Sequence, residues 1–235
     1  FPYTTLFRSL RHAVRDLMPM AADIFDRARA ASRDLEGVTR PAWSSEDQAA
    51  ADILLGAAQE HGLTTRMDAI GNTYARLAGR DETAPGILSG SHLDSVARGG
   101  NFDGLAGAVA AVTALAAIRR AGMVPGCNLT AMGTRCEESV WFGIAYVGAR
   151  LAVGNMDRAE FDALVRLDSG RSIADHMTDQ GLAVDDIWRA DGPEIKPANT
   201  KAFLELHIEQ GPLLMEQDAP LGIATAVRGN LRYGD

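Results

Sequence analysis

Apolar residues at three- and four-residue spacing mark the first elements of this chain. Residues 21–33 are expected as a helix, with 36–41 following as a loop. A second stripe (Ala49, Ala50, Ile53, Leu54, Ala57 and Ala58) predicts a helix from Ser45, with Ser45 and Gln48 as its capping box and Gly62 as its stop. Residues 63–68 and 72–77 read as two strands joined through Ala69-Ile70-Gly71, a hairpin. Residues 87–91 and 128–134 are short apolar runs, expected as buried strands. Between them, 104–120 is a long alanine-rich helix ended by Gly122. Strand, helix and strand in that order predict a parallel pair with a helical crossover.

Beyond Phe142 the periodicity weakens. A helix is expected through Leu151, another over 158–165 and a short one over 173–180, inside a polar, irregular stretch from 167 to 186. Residues 191–200, with Pro193 and Pro197, read as a loop. Residues 202–208 alternate as a strand that carries His207. Residues 211–217 start a helix with Pro212 at its first position. The pattern as a whole describes an α/β protein, a mixed and largely parallel sheet flanked by helices.

Composition narrows the partners. Hydrophobic residues make up 46% of the 235 and charged ones 23%, an ordinary globular balance. A net charge of −8 argues against nucleic acid or an anionic membrane surface. The longest apolar run, within 105–118, is broken by Gly107 and Thr113 and is expected as a buried helix, with no membrane span. Cys127 and Cys136 make no disulfide framework, which suggests a reducing, cytoplasmic setting. The first nine residues, FPYTTLFRS, show no secretory signal and fit nothing downstream; they are expected to be foreign or misread sequence, a foreign or disordered N-terminus.

The candidate chemistry sits in three segments. GSHLDSVARGGNFDG, residues 90–104, places His92, Asp94 and Asp103 among glycines that let backbone and metal approach closely. Cys136-Glu137-Glu138-Ser139 follows the second buried strand, and Glu205-Leu206-His207-Ile208-Glu209-Gln210-Gly211 follows later. The first two fall just past the carboxyl ends of predicted strands, where open α/β sheets bind ligands. Imidazole and carboxylate together can hold divalent cations, with a further carboxylate orienting a histidine. Asp103 can bridge two ions, His92 and His207 completing one and Glu138 serving the other. Adjacent Glu137 and Glu138 cannot point the same way from an extended segment, so one ligates and the other serves as general base.

Other candidates are weaker. Cys136 beside Glu137 could suggest a thiol amidase, but that chemistry needs a nearby lysine, and Lys196 and Lys201 both lie in the distant proline loop. Cys136 is expected to be a packed strand-end residue. His12 and His61 are expected at the surface, His176 as an exposed helix histidine, and Arg98 as a solvated loop charge. Gly99-Gly100 has no phosphate-loop pattern around it.

GSHLDSVARGGNFDG, CEESVWFGIAYVGAR and LELHIEQGPLLMEQ, in that order and spacing, resemble the hydantoinase/carbamoylase family of metal-dependent amidohydrolases. The likeness extends from Gly37-Val38-Thr39-Arg40 through 68–72 to Arg228-Gly229-Asn230, and HIEQGP is its most specific part. The resemblance implies a dinuclear metallopeptidase-like catalytic domain and a site holding two divalent ions (Zn, Mn, Co or Ni). It implies His92, Asp103 and His207 as one ion's ligands with Asp103 bridging, and Glu138 on the second ion. It makes Glu137 the general base, Asp94 the carboxylate that orients His92, and Gln210 a substrate contact. The implied reaction is hydrolysis of a ureido or carbamoyl group of a small molecule. N-carbamoyl-L-amino acids and allantoate head the substrates; dipeptides or acylated amino acids, on the same metals, are the alternative, and a non-catalytic metal-binding remnant is the other. Complete members carry an inserted α+β lid that dimerises, then a last histidine for the second metal. By that pattern residues 10–219 are the first part of the catalytic domain and 220–235 the start of the lid, which would make the chain a homodimer only in complete form.

Overall fold

The computed structural model describes residues 2–189 and 192–226. In chain order the elements are α1 (Pro2–Ser32), β1 (Arg33–Asp34), β2 (Gly37–Val38), α2 (Ser45–Glu60), β3 (Thr64–Met67), β4 (Thr73–Leu77), β5 (Gly86–His92), α3 (Leu105–Arg120) and β6 (Leu129–Thr134). They continue with α4 (Val147–Ala152), α5 (Arg158–Asp162), α6 (Ile173–Asp179), α7 (Asp186–Arg189), β7 (Thr200–Leu204) and α8 (Leu213–Glu216).

The main sheet has the order β3-β4-β6-β5-β7. β5 pairs in parallel with both β6 and β7, whereas β4 runs antiparallel to β3 and to β6. All strands but β4 therefore point one way, the mixed, largely parallel sheet that the pattern predicts. Because the pleat alternates, Ala75, Leu77 and Ala131 face a layer built from α1, α2 and α3, packing against Ile24, Leu54, Ala108 and Val112. Tyr74, Leu88 and Met132 face the opposite layer, with Trp141, Phe142, Leu151, Phe161 and Met177. The middle strands are thus covered on both sides, whereas β7 at the edge is exposed.

Several boundaries differ from expectation, each for a physical reason. α1 begins at Pro2 and not at residue 21. Ala13, Leu17, Ala21, Ile24 and Ala28 continue one buried face, and Pro19 is accommodated on the exposed side. The opening stretch joins this helix, with Leu6 and Phe7 exposed. The cap of α2 is Ser44, one residue earlier than predicted: its side chain accepts from Asp47 N, while Asp47 accepts from Trp43 N. After β6 the chain turns through 139–146 before α4 starts, so only the last part of the expected helix forms. Pro212 is the residue before α8 and not its first. Residues 220–226, expected to open the lid, form neither strand nor helix, and Arg228-Gly229-Asn230, with the rest of 227–235, lies outside the described residues.

Candidate metal centre

His92 is the last residue of β5 and pairs in register with Thr134, the last residue of parallel β6. The segments leaving the two strands, 93–104 and 135–138, therefore emerge side by side at one end of the sheet. β7 flanks β5 on its other side and runs the same way, so the chain leaving it delivers 205–210 to the same end. Gly104 lies in the left-handed region (φ +65°), and a Cβ there would collide with the His92 ring. Only glycine lets the 93–104 loop close this tightly over the imidazole.

The two histidines are set in the same way. His92 Nδ1 lies 2.9 Å from Asp94 O, and His207 Nδ1 lies 2.9 Å from Ile208 O. A carbonyl only accepts, so each Nδ1 carries the proton and each Nε2 is left with a lone pair when the ring is neutral. Both Nε2 atoms face Asp103 Oδ1, at 3.7 Å from His92 and 3.2 Å from His207. That oxygen is buried and has no hydrogen-bond partner among the described residues. Asp103 Oδ2, by contrast, accepts from Gln210 Nε2 at 2.7 Å. Two imidazole nitrogens and a carboxylate oxygen thus converge as lone-pair donors. This donor set fits a divalent cation of the Zn, Mn, Co or Ni type.

A second group adjoins the first. His92, Glu137 and Glu138 each offer a ligand atom within 4.8 Å of the others. The adjacent glutamates both turn toward His92, against the expectation of opposite directions. The cause is that the segment is not extended: Cys136 sits in the left-handed region (φ 54°), and the buried Asp94 carboxylate accepts from both Glu137 N (3.0 Å) and Glu138 N (3.1 Å). Consecutive amides facing one anion make a curved, nest-like turn. Asp94 does more here than the expected orienting of His92. Its carboxylate stands 3.5 Å from Nδ1, while its backbone oxygen makes the closer contact.

Electrostatics follow from this crowding. Burial raises the Glu138 carboxyl, and the neighbouring Glu137 charge raises it further, to about 7. Burial also raises Glu137, partly offset by His92. For His92 burial opposes the charged form, but the hydrogen bond and charge of Asp94, with Glu137, outweigh it and lift the ring to about 9.

The group lines a cavity of about 590 Å³ together with Ser91, Tyr146 and Glu205. His207 reaches it from irregular chain, because β7 ends at Leu204. The strand expected over 202–208 is shifted toward its start. Tyr146 was not anticipated, because residues 143–146 read as helix interior; instead its N–H donates to Glu137 O and closes the turn. Elsewhere, His176 is not exposed. It is 5% accessible, lies 2.8 Å from Ser169 Oγ and packs edge-on against Phe142. Cys136 is fully buried, and burial holds its thiol well above the usual range, as suits a packed residue. No helix among the described residues is long and apolar enough to cross a membrane.

No family model matches the chain. It is 36% identical over 193 residues to an N-carbamoyl-L-amino-acid amidohydrolase of Paenarthrobacter aurescens, covering 82% of this chain and 46% of that protein. An allantoate amidohydrolase of Bacillus subtilis is 35% identical over 200 residues, with 84% and 46% covered. Among solved structures, a hydantoinase/carbamoylase family amidase from Burkholderia ambifaria aligns with a TM-score of 0.73 and 28% identity, over 86% of this chain and 47% of that one. The chain spans about half the length of the curated relatives it matches.

Proposed function

Over the residues it spans, the chain belongs to the hydantoinase/carbamoylase family, and from that premise we propose that its site hydrolyses a linear amide C–N bond. The bond belongs to the ureido or carbamoyl group of a small molecule such as an N-carbamoyl-L-amino acid or allantoate. Water is consumed and the amine, ammonia and carbon dioxide are released. The observation that carries this reading is the convergence of His92 Nε2, His207 Nε2 and the unpartnered Asp103 Oδ1.

In this proposal His92, Asp103 and His207 would hold one divalent ion, and Glu138, in the adjoining group, would serve a second. Bound ions there would polarise the substrate carbonyl and lower the pKa of a water. Glu137, raised by burial, takes that water's proton and passes it to the leaving nitrogen. Asp94 holds the Glu137–Glu138 turn and the His92 ring in place. Gln210, which donates to Asp103, would meet the substrate beside the ions. Residues 10–219 as part of a catalytic domain, a lid from 220, a homodimer through that lid and a cytoplasmic setting belong to the same proposal, on the strength of the family likeness.

The test compares ammonia release from N-carbamoyl-L-amino acids and allantoate with cleavage of dipeptides, in the wild type and Glu137→Gln. We expect ammonia release to dominate, and the variant to keep its metal by elemental analysis while losing about 100-fold or more in turnover. Retained turnover in the variant would refute Glu137 as the base.

A further inference from the structure

Arg40 is fully buried, no carboxylate among the described residues lies within ion-pair distance and its Nη2 has no hydrogen-bond partner, so only the more distant charges of Asp47, Asp94 and Asp103 offset its burial. A buried cation held on such terms is costly, so its position requires a local cause. The cause lies in what the guanidinium grips. Nε donates to Leu93 O at 2.9 Å, and Nη1 donates to Asn101 Oδ1 and Ser32 Oγ, both at 3.2 Å. The Arg40 backbone adds two bonds, its N–H to Ser95 Oγ (3.0 Å) and its carbonyl from Ser95 N (3.1 Å). Leu93 and Ser95 bracket Asp94 directly after His92, and Asn101 stands two residues before Asp103.

The rest of the Gly37-Val38-Thr39-Arg40 segment lies along the same loop. Val38 and Gly99 exchange both backbone hydrogen bonds, at 3.0 and 2.8 Å, and Arg98 N donates to Thr39 Oγ1 at 2.8 Å. A Cβ at Gly37 would fall 2.6 Å from Gly99 O, so the approach requires glycine. The segment thus straps the loop that carries Asp94 and Asp103 and follows His92, from one end to the other.

We propose that Arg40 is a positioning residue, whose guanidinium ties the start of the 93–101 loop to its end and so sets the spacing of His92, Asp94 and Asp103. This rests on the metal reading of those residues. Guanidinium is suited to the task because its rigid fork donates in several directions at once, whereas an ammonium on a flexible stem keeps the charge and loses the fixed geometry.

The test is zinc affinity by competition with a chromophoric chelator, plus the visible absorption of the cobalt-loaded protein, for wild type, Arg40→Lys, Asn101→Ala and the double variant. Outer contacts of this kind change metal affinity by about 10-fold or more. We expect a loss of that size in Arg40→Lys, with a shifted cobalt spectrum. Asn101→Ala should lose several-fold, and the double variant should be no weaker than Arg40→Lys, because both act through one contact. Asn101→Ala cuts the grip nearest Asp103 and with it the bond from Asn101 Nδ2 to Phe25 O (3.0 Å), and far-UV circular dichroism of the metal-free protein should stay unchanged. Wild-type affinity and cobalt spectrum in both variants would overturn the role of Arg40. If Arg40→Lys fails to fold, wild-type affinity in Asn101→Ala alone overturns it. A wild type that takes up neither zinc nor cobalt overturns the metal reading itself, and this proposal with it.

Discussion

His92 is held against solvent by the sheet, the Gly104 backbone and Asp94, and its ring is raised from 6.5 to about 9 in the metal-free protein. A raised folded-state pKa means that the charged ring stabilises the fold fully below about pH 6.5, and that this contribution disappears as pH climbs through about 9. A metal needs the neutral ring, because its Nε2 lone pair faces Asp103. Zinc therefore competes with a proton. We expect zinc binding at pH 7 to release protons, and affinity to rise with pH until about 9. Calorimetric titrations in buffers of different ionisation enthalpy measure the protons released. Affinity that does not change between pH 7 and 9 would contradict the assignment.

At the scale of elements, α2 is fixed to the end of β6 by a buried charge pair. Arg135 Nη1 stands 2.7 Å from Asp47 Oδ2, with neither side chain accessible to solvent. The same arginine donates from Nε to Gly71 O and from Nη2 to Gln48 Oε1, and its backbone N–H donates to Asn72 Oδ1. The helix start, the hairpin turn and the strand leading into Glu137 thus meet at one side chain. Asp47→Ala leaves a cation buried without its partner, and we expect a loss of about 3–5 kcal/mol in chemical denaturation. Ser44→Ala removes only the cap of the same helix, and about 1 kcal/mol is expected. Equal losses in the two would show that the pair contributes no more than the cap does.

Across the whole molecule, the candidate ligands of the first group come from two stretches far apart in sequence, 92–103 and the chain around His207. His92, Asp103 and His207 join the end of β5, the loop before α3 and the chain after β7. A shared ion would tie these together and add stability by mass action, about 2.7 kcal/mol at a hundredfold excess over its dissociation constant. For a chain of this size each kcal/mol raises the unfolding midpoint by about 2–4 °C. Thermal melts with zinc and with chelator should differ accordingly, and His207→Ala should shrink the difference while Glu137→Gln keeps it. A midpoint indifferent to zinc would count against the site.

The amino-acid order alone determined the alternation of strand and helix, and hence the sheet class, because apolar spacing directly reports which face of an element is buried. Glycine-framed His92 and Asp103, the Glu137-Glu138 pair and His207 were legible as metal-ligand types for a similar reason: few other residues supply those lone pairs. Boundaries resting on long-range packing were not legible. α1 extends back beyond residue 21 along a face, with Ala13 and Leu17, that α3 completes, and β7 stops short of His207 once its pairing with β5 runs out. Only the tertiary structure brought both glutamates to His92, since Asp94 curls their backbone from a distant segment. Burial of His176 and the hydrogen bonds that hold the buried Arg40 likewise depend on neighbours remote in the chain. Local periodicity encodes what each element is, while contacts across the chain decide where its ends and its charges come to rest.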